Sequence, residues 1–166
     1  MIECFYTLKN FPSLPNFLIE ESQNLKYVGP NKDHKRTMAR SELWQTTKLA
    51  QYLNTHVGHT EANFIKMDPL TGIVWHTDGH RQVGINIPIM HDNSISMFRE
   101  QLDVFTYRIY QVEYELHKPT VFNTKVEHSV INYNNAPRYT LTLEFQPHVM
   151  YTRVKKALLA YNAPEM

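Results

Sequence analysis

Trp75-His76-Thr77-Asp78-Gly79-His80-Arg81, continued by Gln82-Val83-Gly84-Ile85-Asn86-Ile87-Pro88-Ile89, is the stretch on which the fold turns. Val83, Ile85, Ile87 and Ile89 alternate with Gln82, Gly84, Asn86 and Pro88, a period of two that marks a strand with one apolar face. Pro88 lacks an N–H, so the strand nears its end there or lies where that donor is not needed. Just ahead, His76 and Asp78 stand two residues apart, which in extended chain puts both side chains on one side. An imidazole and a carboxylate so placed can address one metal ion. Such a centre needs a third ligand and a stiff scaffold.

Short strands surround this stretch. Upstream, residues 2–8 are rich in Phe, Tyr and Ile and predict a strand. Residues 10–17, with Pro12 and Pro15, predict a connector. Residues 24–36 contain Gly29-Pro30-Asn31, then Lys32, His34, Lys35 and Arg36, and predict an exposed loop. Its basic character suits either solvent or an acidic substrate. Ser41 as N-cap and Glu42 in the first turn predict a helix over 41–55. Leu43, Thr47, Ala50, Leu53 and Val57 fall at helical spacing, and Gly58 suits the end.

Strands are expected at 62–67 and 73–75, joined by the turn 68–72, and again at 94–98, 104–110, 111–116 and 119–123. Residues 128–133 and 138–145, joined by Asn134-Asn135-Ala136-Pro137, predict a hairpin, and 151–161 a short terminal helix. One helix followed by many short strands predicts an antiparallel sandwich or barrel, mainly β with flanking helices. A jelly roll is the member that carries a metal at its mouth.

Composition narrows the class. A chain of 166 residues with 42% apolar content fits one folded domain over 1–166. A net charge of +1 gives no reason to expect nucleic acid or a membrane surface as partner. Five glycines speak against a Gly-looped nucleotide fold. The single cysteine, Cys4, can form neither an internal disulfide nor a Cys-rich zinc site. The first residues lack the charged start and apolar core of a signal peptide, and no apolar run approaches a bilayer span. Together these predict a reducing cytoplasm.

The third ligand candidate is His128, with Arg138 ten residues beyond it. Along 138–145, Arg138, Thr140, Thr142 and Glu144 share one face, and Tyr139, Leu141, Leu143 and Phe145 the other. The polar face must look into a wet or ligand-filled space; the apolar face needs a cover, which the helix at 41–55 can supply. An inward Arg needs an anion, because an unpaired buried charge is costly. A planar guanidinium suits a carboxylate, and Thr140 can add a hydroxyl donor. Two His and one Asp on a β scaffold form a facial triad with open positions, the usual signature of non-haem Fe(II) oxygenases.

These residues, His76-x-Asp78, His128, Arg138 and Thr140, with Asn86-Ile87-Pro88 and Phe122-Asn123-Thr124, resemble the 2-oxoglutarate/Fe(II)-dependent oxygenase family over residues 64–145. Within it the chain looks most like small phage-type members related to the aspartyl/asparaginyl β-hydroxylase branch. The best-known enzymes of that branch lack a metal-binding carboxylate, whereas this chain has Asp78.

The resemblance implies a double-stranded β-helix, cupin-like, with its metal and cosubstrate core at about 61–146. It implies Fe(II) on His76, Asp78 and His128, and 2-oxoglutarate with its distal carboxylate on Arg138 and Thr140. It implies O2 as oxidant, with ascorbate as assay reductant. The expected reaction hydroxylates a C–H bond of a small-molecule or peptidyl substrate, an amino acid or peptidyl residue being favoured, with release of succinate and carbon dioxide. The expected location is cytoplasmic, the host cytoplasm if the chain is phage-encoded; oligomeric state stays open.

Several readings stand beside this one. His76 and Asp78 can be an ordinary hydrogen-bonded pair, His128 a core histidine and Arg138 a surface residue. Asn86 and Asn123 project inward if alternation holds, either to bond 2-oxoglutarate or as structural amides. His80 and Arg81 either line a substrate pocket or belong to a loop. Trp75 is read as core, Tyr107, Tyr110 and Tyr114 as strand packing, and His56-x-x-His59 and His91-Asp92 as surface. Function classes other than the oxygenase are a cupin-like metalloprotein of another reaction type, with no use for Arg138, and a non-catalytic jelly-roll binding protein.

Overall fold

The computed structural model describes residues 3–31, 36–58, 60–90 and 94–162, the side chains of residues 30 and 31 apart. In chain order the elements are β1 (Phe5–Thr7), α1 (Asn16–Asn24), β2 (Val28–Asn31), β3 (Arg36–Arg40), a 3-10 turn (Trp44–Thr46) and α2 (Lys48–His56). Then come β4 (Thr60–Met67), β5 (Thr71–His76), β6 (Val83–Pro88), β7 (Ile95–Gln101), β8 (Tyr107–Gln111) and β9 (Thr120–Asn123). β10 (Glu127–Asn132), β11 (Arg138–Phe145) and α3 (Tyr151–Tyr161) complete the order. A seven-stranded sheet runs β1-β9-β6-β11-β4-β3-β2, and a four-stranded sheet runs β5-β10-β7-β8. Among the described residues every strand pairing is antiparallel. Two such sheets face to face form the expected jelly roll, with helices on one outer side. No described helix is long and apolar enough to cross a membrane.

Alternation along the strands decides which side of the large sheet is dry. Val83, Ile85 and Ile87 of β6 and Ile89 just past it, Ala62 and Phe64 of β4, and Leu141, Leu143 and Phe145 of β11 all join one core with Ala50 and Leu53 of α2, Val57 at its C-cap, and Val154 and Leu158 of α3. Each such buried Leu, Ile or Phe is worth about 1.5–3 kcal/mol. The opposite faces of the same strands carry Ile65, Met67, Asn86, Arg138, Thr140 and Thr142, which border a cavity between the two sheets. The apolar mass therefore lies outside the sandwich, under the helices, and the space inside is left for polar groups. A smaller cluster of Cys4, Phe98, Val112, Phe122 and Val126 fills part of the inter-sheet space.

The structure corrects several expectations. The helix starts at Lys48, not Ser41, because Thr47 is the N-cap and its hydroxyl accepts from the Ala50 N–H at 3.0 Å. Ser41 instead accepts from the Trp44 N–H and donates to Glu21, while the Trp44 indole is drawn into the core and donates to Thr60 Oγ1 at 3.1 Å. Leu43 drops out of the stripe and is exposed. Gly58 does end the helix, in the positive-φ region, with its N–H on the Leu53 carbonyl. The connector at 10–17 runs into a helix, α1. The loop at 24–36 contributes β2 and Arg36, the first residue of β3; residues 32–35 lie outside the described residues. The strand expected at 111–116 is absent beyond Gln111.

The largest correction concerns 128–145. β10 and β11 do not pair with each other. β10 lies between β5 and β7 in the small sheet, and β11 between β4 and β6 in the large one. The turn at 134–137 thus carries the chain from one sheet to the other, and His128 and Arg138 face each other across the sandwich.

Gly84 has a packing role on the cavity face of β6. It is the cross-strand partner of Phe122, and a Cβ there would sit 2.6 Å from the Phe122 ring. That ring is itself set edge-on to His128, with centroids 6.0 Å apart. Gly84→Ala is therefore expected to destabilise by about 1–3 kcal/mol through overpacking. Urea unfolding checks this, and an unchanged midpoint would count against the packing role.

Candidate metal centre

His76 ends β5 and His128 lies in β10, and the pairing register sets them directly opposite. Their rings are 4.3 Å apart, centroid to centroid. A register shift between His128 and Val130 makes this possible. Ile73 and His76 are three residues apart, so a regular strand would send them to opposite faces. The extra residue on β5 restores phase, and Ile73, His76, His128 and Val130 all border the cavity. Asp78 lies past the strand end, where its N–H donates to the Thr124 carbonyl at 3.0 Å.

One ligand atom each from His76, Asp78 and His128 lie within 4.8 Å of one another. His76 Nδ1 donates to the Val74 carbonyl at 2.8 Å, and His128 Nδ1 to the Val126 carbonyl at 2.9 Å. A carbonyl can only accept, so each Nδ1 carries a proton, and Nε2 is the nitrogen left to face a metal. His76 Nε2 is 3.7 Å from Asp78 Oδ1. Burial among Phe98, Phe122 and the neighbouring imidazole pulls the His128 pKa down, which favours the neutral ligand form. Burial pushes the Asp78 carboxyl up, but the charge and hydrogen bond of Arg81, helped by the imidazoles, prevail and hold it below its ordinary value. The donor set is thus two imidazole Nε2 atoms and one carboxylate held in its ionised form, a fit for a divalent first-row metal with open positions.

Arg81 fixes the carboxylate. Its Nε donates to Asp78 Oδ2 at 2.6 Å, and its Nη1 stands 3.4 Å from Glu144 Oε1. Arg81 is buried and borders the cavity, whereas His80 is exposed and does not. Across the cavity Arg138 and Thr140 are both buried and both border it. Thr140 Oγ1 is buried with no hydrogen-bond partner among the described residues. Such a hydroxyl is costly unless a ligand completes it.

Asn86 also borders the cavity, but its Oδ1 accepts from Thr142 Oγ1 at 2.9 Å and its Nδ2 donates to the Tyr114 hydroxyl at 3.3 Å. Asn123 does not reach the cavity; its Oδ1 accepts from the Lys125 N–H at 3.1 Å and shapes the turn after β9. Alternation within β9 turns Phe122 toward the cavity and sets Asn123, level with Val83, on the opposite side.

Other side chains meet unexpected partners. Tyr114 is no strand residue: the Arg138 guanidinium lies 5.3 Å from its ring. Trp75 is not core but half-buried, with the Arg99 guanidinium 4.7 Å from its ring and equally far from that of Tyr107. Arg99 also forms a bidentate pair with Glu127. His56 lies against Tyr52, while His59, His91 and Asp92 lie outside the described residues. Arg36, which sequence reasoning left in a loop, borders the cavity. No local signal marks it, since its placement depends on β3 pairing with β4.

Neither a family model nor a curated protein sequence matches the chain. Solved structures do share the fold. A prolyl-4-hydroxylase from Pseudomonas putida aligns over 87% of this chain and 92% of its own, with TM-score 0.59 and 17% identity. An oxidoreductase of the 2OG-Fe(II) oxygenase family from Burkholderia pseudomallei aligns over 83% of this chain and 80% of its own, with TM-score 0.59 and 11% identity. At such identities the likeness establishes the architecture, a double-stranded β-helix.

Proposed function

We propose that the chain is an Fe(II)- and 2-oxoglutarate-dependent dioxygenase. It hydroxylates an unactivated C–H bond, an amino acid or peptidyl residue being the favoured substrate, and releases succinate and carbon dioxide. The observation that carries this reading is the gathering of His76, Asp78 and His128 within 4.8 Å, opposite a buried Arg138-x-Thr140 pair. The names of the two fold-sharing proteins support the same reading.

His76 and His128 would hold Fe(II) through Nε2, and Asp78 through Oδ1. When bound, the iron with 2-oxoglutarate and O2 supplies the oxidising power that no side chain has. The protein's part is geometric and electrostatic. The Val74 and Val126 carbonyls keep both imidazoles in the metal-binding tautomer. Arg81 occupies Asp78 Oδ2, which leaves one carboxylate oxygen for the metal and so keeps positions open. Arg138 pairs with the distal carboxylate of the cosubstrate, and the Thr140 hydroxyl finds in it the partner it lacks. Ile73, Phe122 and Val130 line the cavity with apolar surface and exclude water.

The test is succinate formation from 2-oxoglutarate with Fe(II), O2 and ascorbate. Slow uncoupled turnover above an iron-only control is expected even without the prime substrate. None at all, with metal bound, would favour a cupin-like enzyme of another type. Thr140→Val is expected to weaken 2-oxoglutarate by about 5-fold, the worth of one charge-assisted hydrogen bond less compensation. Equal affinity in that variant would remove Thr140 from the cosubstrate site.

A further inference from the structure

Arg36 raises a question that the metal and cosubstrate do not answer. Its side chain borders the same cavity as His76, Asp78, Arg81 and Arg138. Arg81 is neutralised there by Asp78 and Glu144. Arg36 makes no ion pair with any described carboxylate, and its Nε is buried with no hydrogen-bond partner among the described residues. A guanidinium carries five N–H donors and no acceptor, so leaving one buried and unmatched is unfavourable. Burial and the like charge of Arg81 weaken its hold on its proton, and the charges of Asp78 and Glu144 offset this only in part, so an incoming anion would relieve it further.

The position of Arg36 is fixed by the sheet. β11, β4 and β3 are consecutive neighbours, and Arg138 and Arg36 both stand opposite Met67, on its two sides. The two guanidinium-bearing residues are thus separated by one whole strand, about 10 Å across the sheet. On the function proposed above, the cosubstrate's two acidic ends are already taken, one by the metal and one by Arg138. The anion that Arg36 awaits must then come from another molecule.

We infer that Arg36 is a substrate-binding residue, and that the substrate of this site carries an oxyanion, a carboxylate or phosphate, paired with its guanidinium. This rests on the oxygenase reading for its account of Arg138. The substrate would enter with its acidic group toward β3 and its reacting carbon toward the metal end of the cavity. A planar fork matches either oxyanion in bidentate fashion. An uncharged substrate would leave Arg36 unmatched in the complex.

The experiment uses the full chain loaded with redox-silent Mn(II). A first titration measures 2-oxoglutarate binding to wild type, Arg36→Gln, Arg36→Lys and Arg138→Gln. A second, on the 2-oxoglutarate complex, measures binding of free amino acids, their amides and methyl esters, and phosphate monoesters. Far-UV circular dichroism and thermal melts check folding. Wild type is expected to prefer the anionic probes over their neutral counterparts by at least about 10-fold, the scale of one charge-assisted pair. Arg36→Gln is expected to lose that preference while 2-oxoglutarate affinity stays within about twofold, and Arg36→Lys to keep part of it, a point charge replacing the fork. The ranking of amino acids against phosphate esters tells which oxyanion is meant.

An anion preference unchanged in Arg36→Gln overturns the inference, as does a panel with no preference for charge. A loss of 2-oxoglutarate binding in Arg36→Gln but not in Arg138→Gln also overturns it, by moving Arg36 to the cosubstrate. Failure of the oxygenase reading itself appears separately, as absence of 2-oxoglutarate binding to wild type in the first titration.

Discussion

Asp78→Ala is expected to weaken Fe(II) by more than about 100-fold and to abolish succinate formation, since even changes to groups behind the ligands cost up to that much. Two imidazoles remain in this variant, and a dication loses the only carboxylate among its three ligands. Arg81 loses its 2.6 Å partner as well, though Glu144 stays within 3.4 Å of it, so the buried guanidinium is not stranded. For that reason the fold should survive, and far-UV circular dichroism with a thermal melt can establish that before metal is added. Asp78→Asn refines the experiment. It keeps an acceptor for Arg81 Nε but removes the charge, so it should fold like wild type and still bind metal poorly. Anaerobic Fe(II) titration gives the affinity, and succinate assay the turnover. Full activity in Asp78→Ala would mean a centre built on two histidines.

Arg138→Ala is expected to raise the 2-oxoglutarate requirement by about 100-fold or more, the scale of truncating one partner of a buried charge pair. Metal affinity should change less than about twofold. The separation follows from the topology: the candidate metal ligands sit on and beside the small sheet, and Arg138 on the large one. Arg138→Lys should recover part of the affinity and not all, because an ammonium cannot match both carboxylate oxygens. Mn(II) and 2-oxoglutarate titrations on the same preparations check both halves. Unchanged 2-oxoglutarate binding in Arg138→Ala would remove the cosubstrate assignment.

Much of the site was legible because period-two patterns are local. Residues 138–145 and 83–89 declare their dry faces in their own side chains, and both faces lie as alternation requires. The helix start was misread because Ser41 and Glu42 look like an N-terminus, while the pull of Trp44 into the core, a tertiary effect, delays the helix to Lys48. The supposed hairpin failed for the same kind of reason. Asn134-Asn135-Ala136-Pro137 has good turn chemistry, but a turn does not say whether the chain returns along the same sheet. His76 was placed correctly relative to Asp78, yet its agreement with Ile73 depends on a bulge that no periodicity announces. Arg36 was invisible as a site residue because basic loops are usually solvated, and only the pairing of β3 with β4 brings it inward.

The crossing between β10 and β11 has a consequence for selectivity. On the proposed function, metal and cosubstrate carboxylate would be held from opposite walls of the sandwich, not from neighbouring strands of one wall. The span between them is therefore a ruler whose length is fixed by how tightly the walls pack, through Phe98, Phe122 and Val126. A diacid one methylene too short or too long would then be disfavoured by the packing of the walls themselves, with no mobile loop needed to measure it.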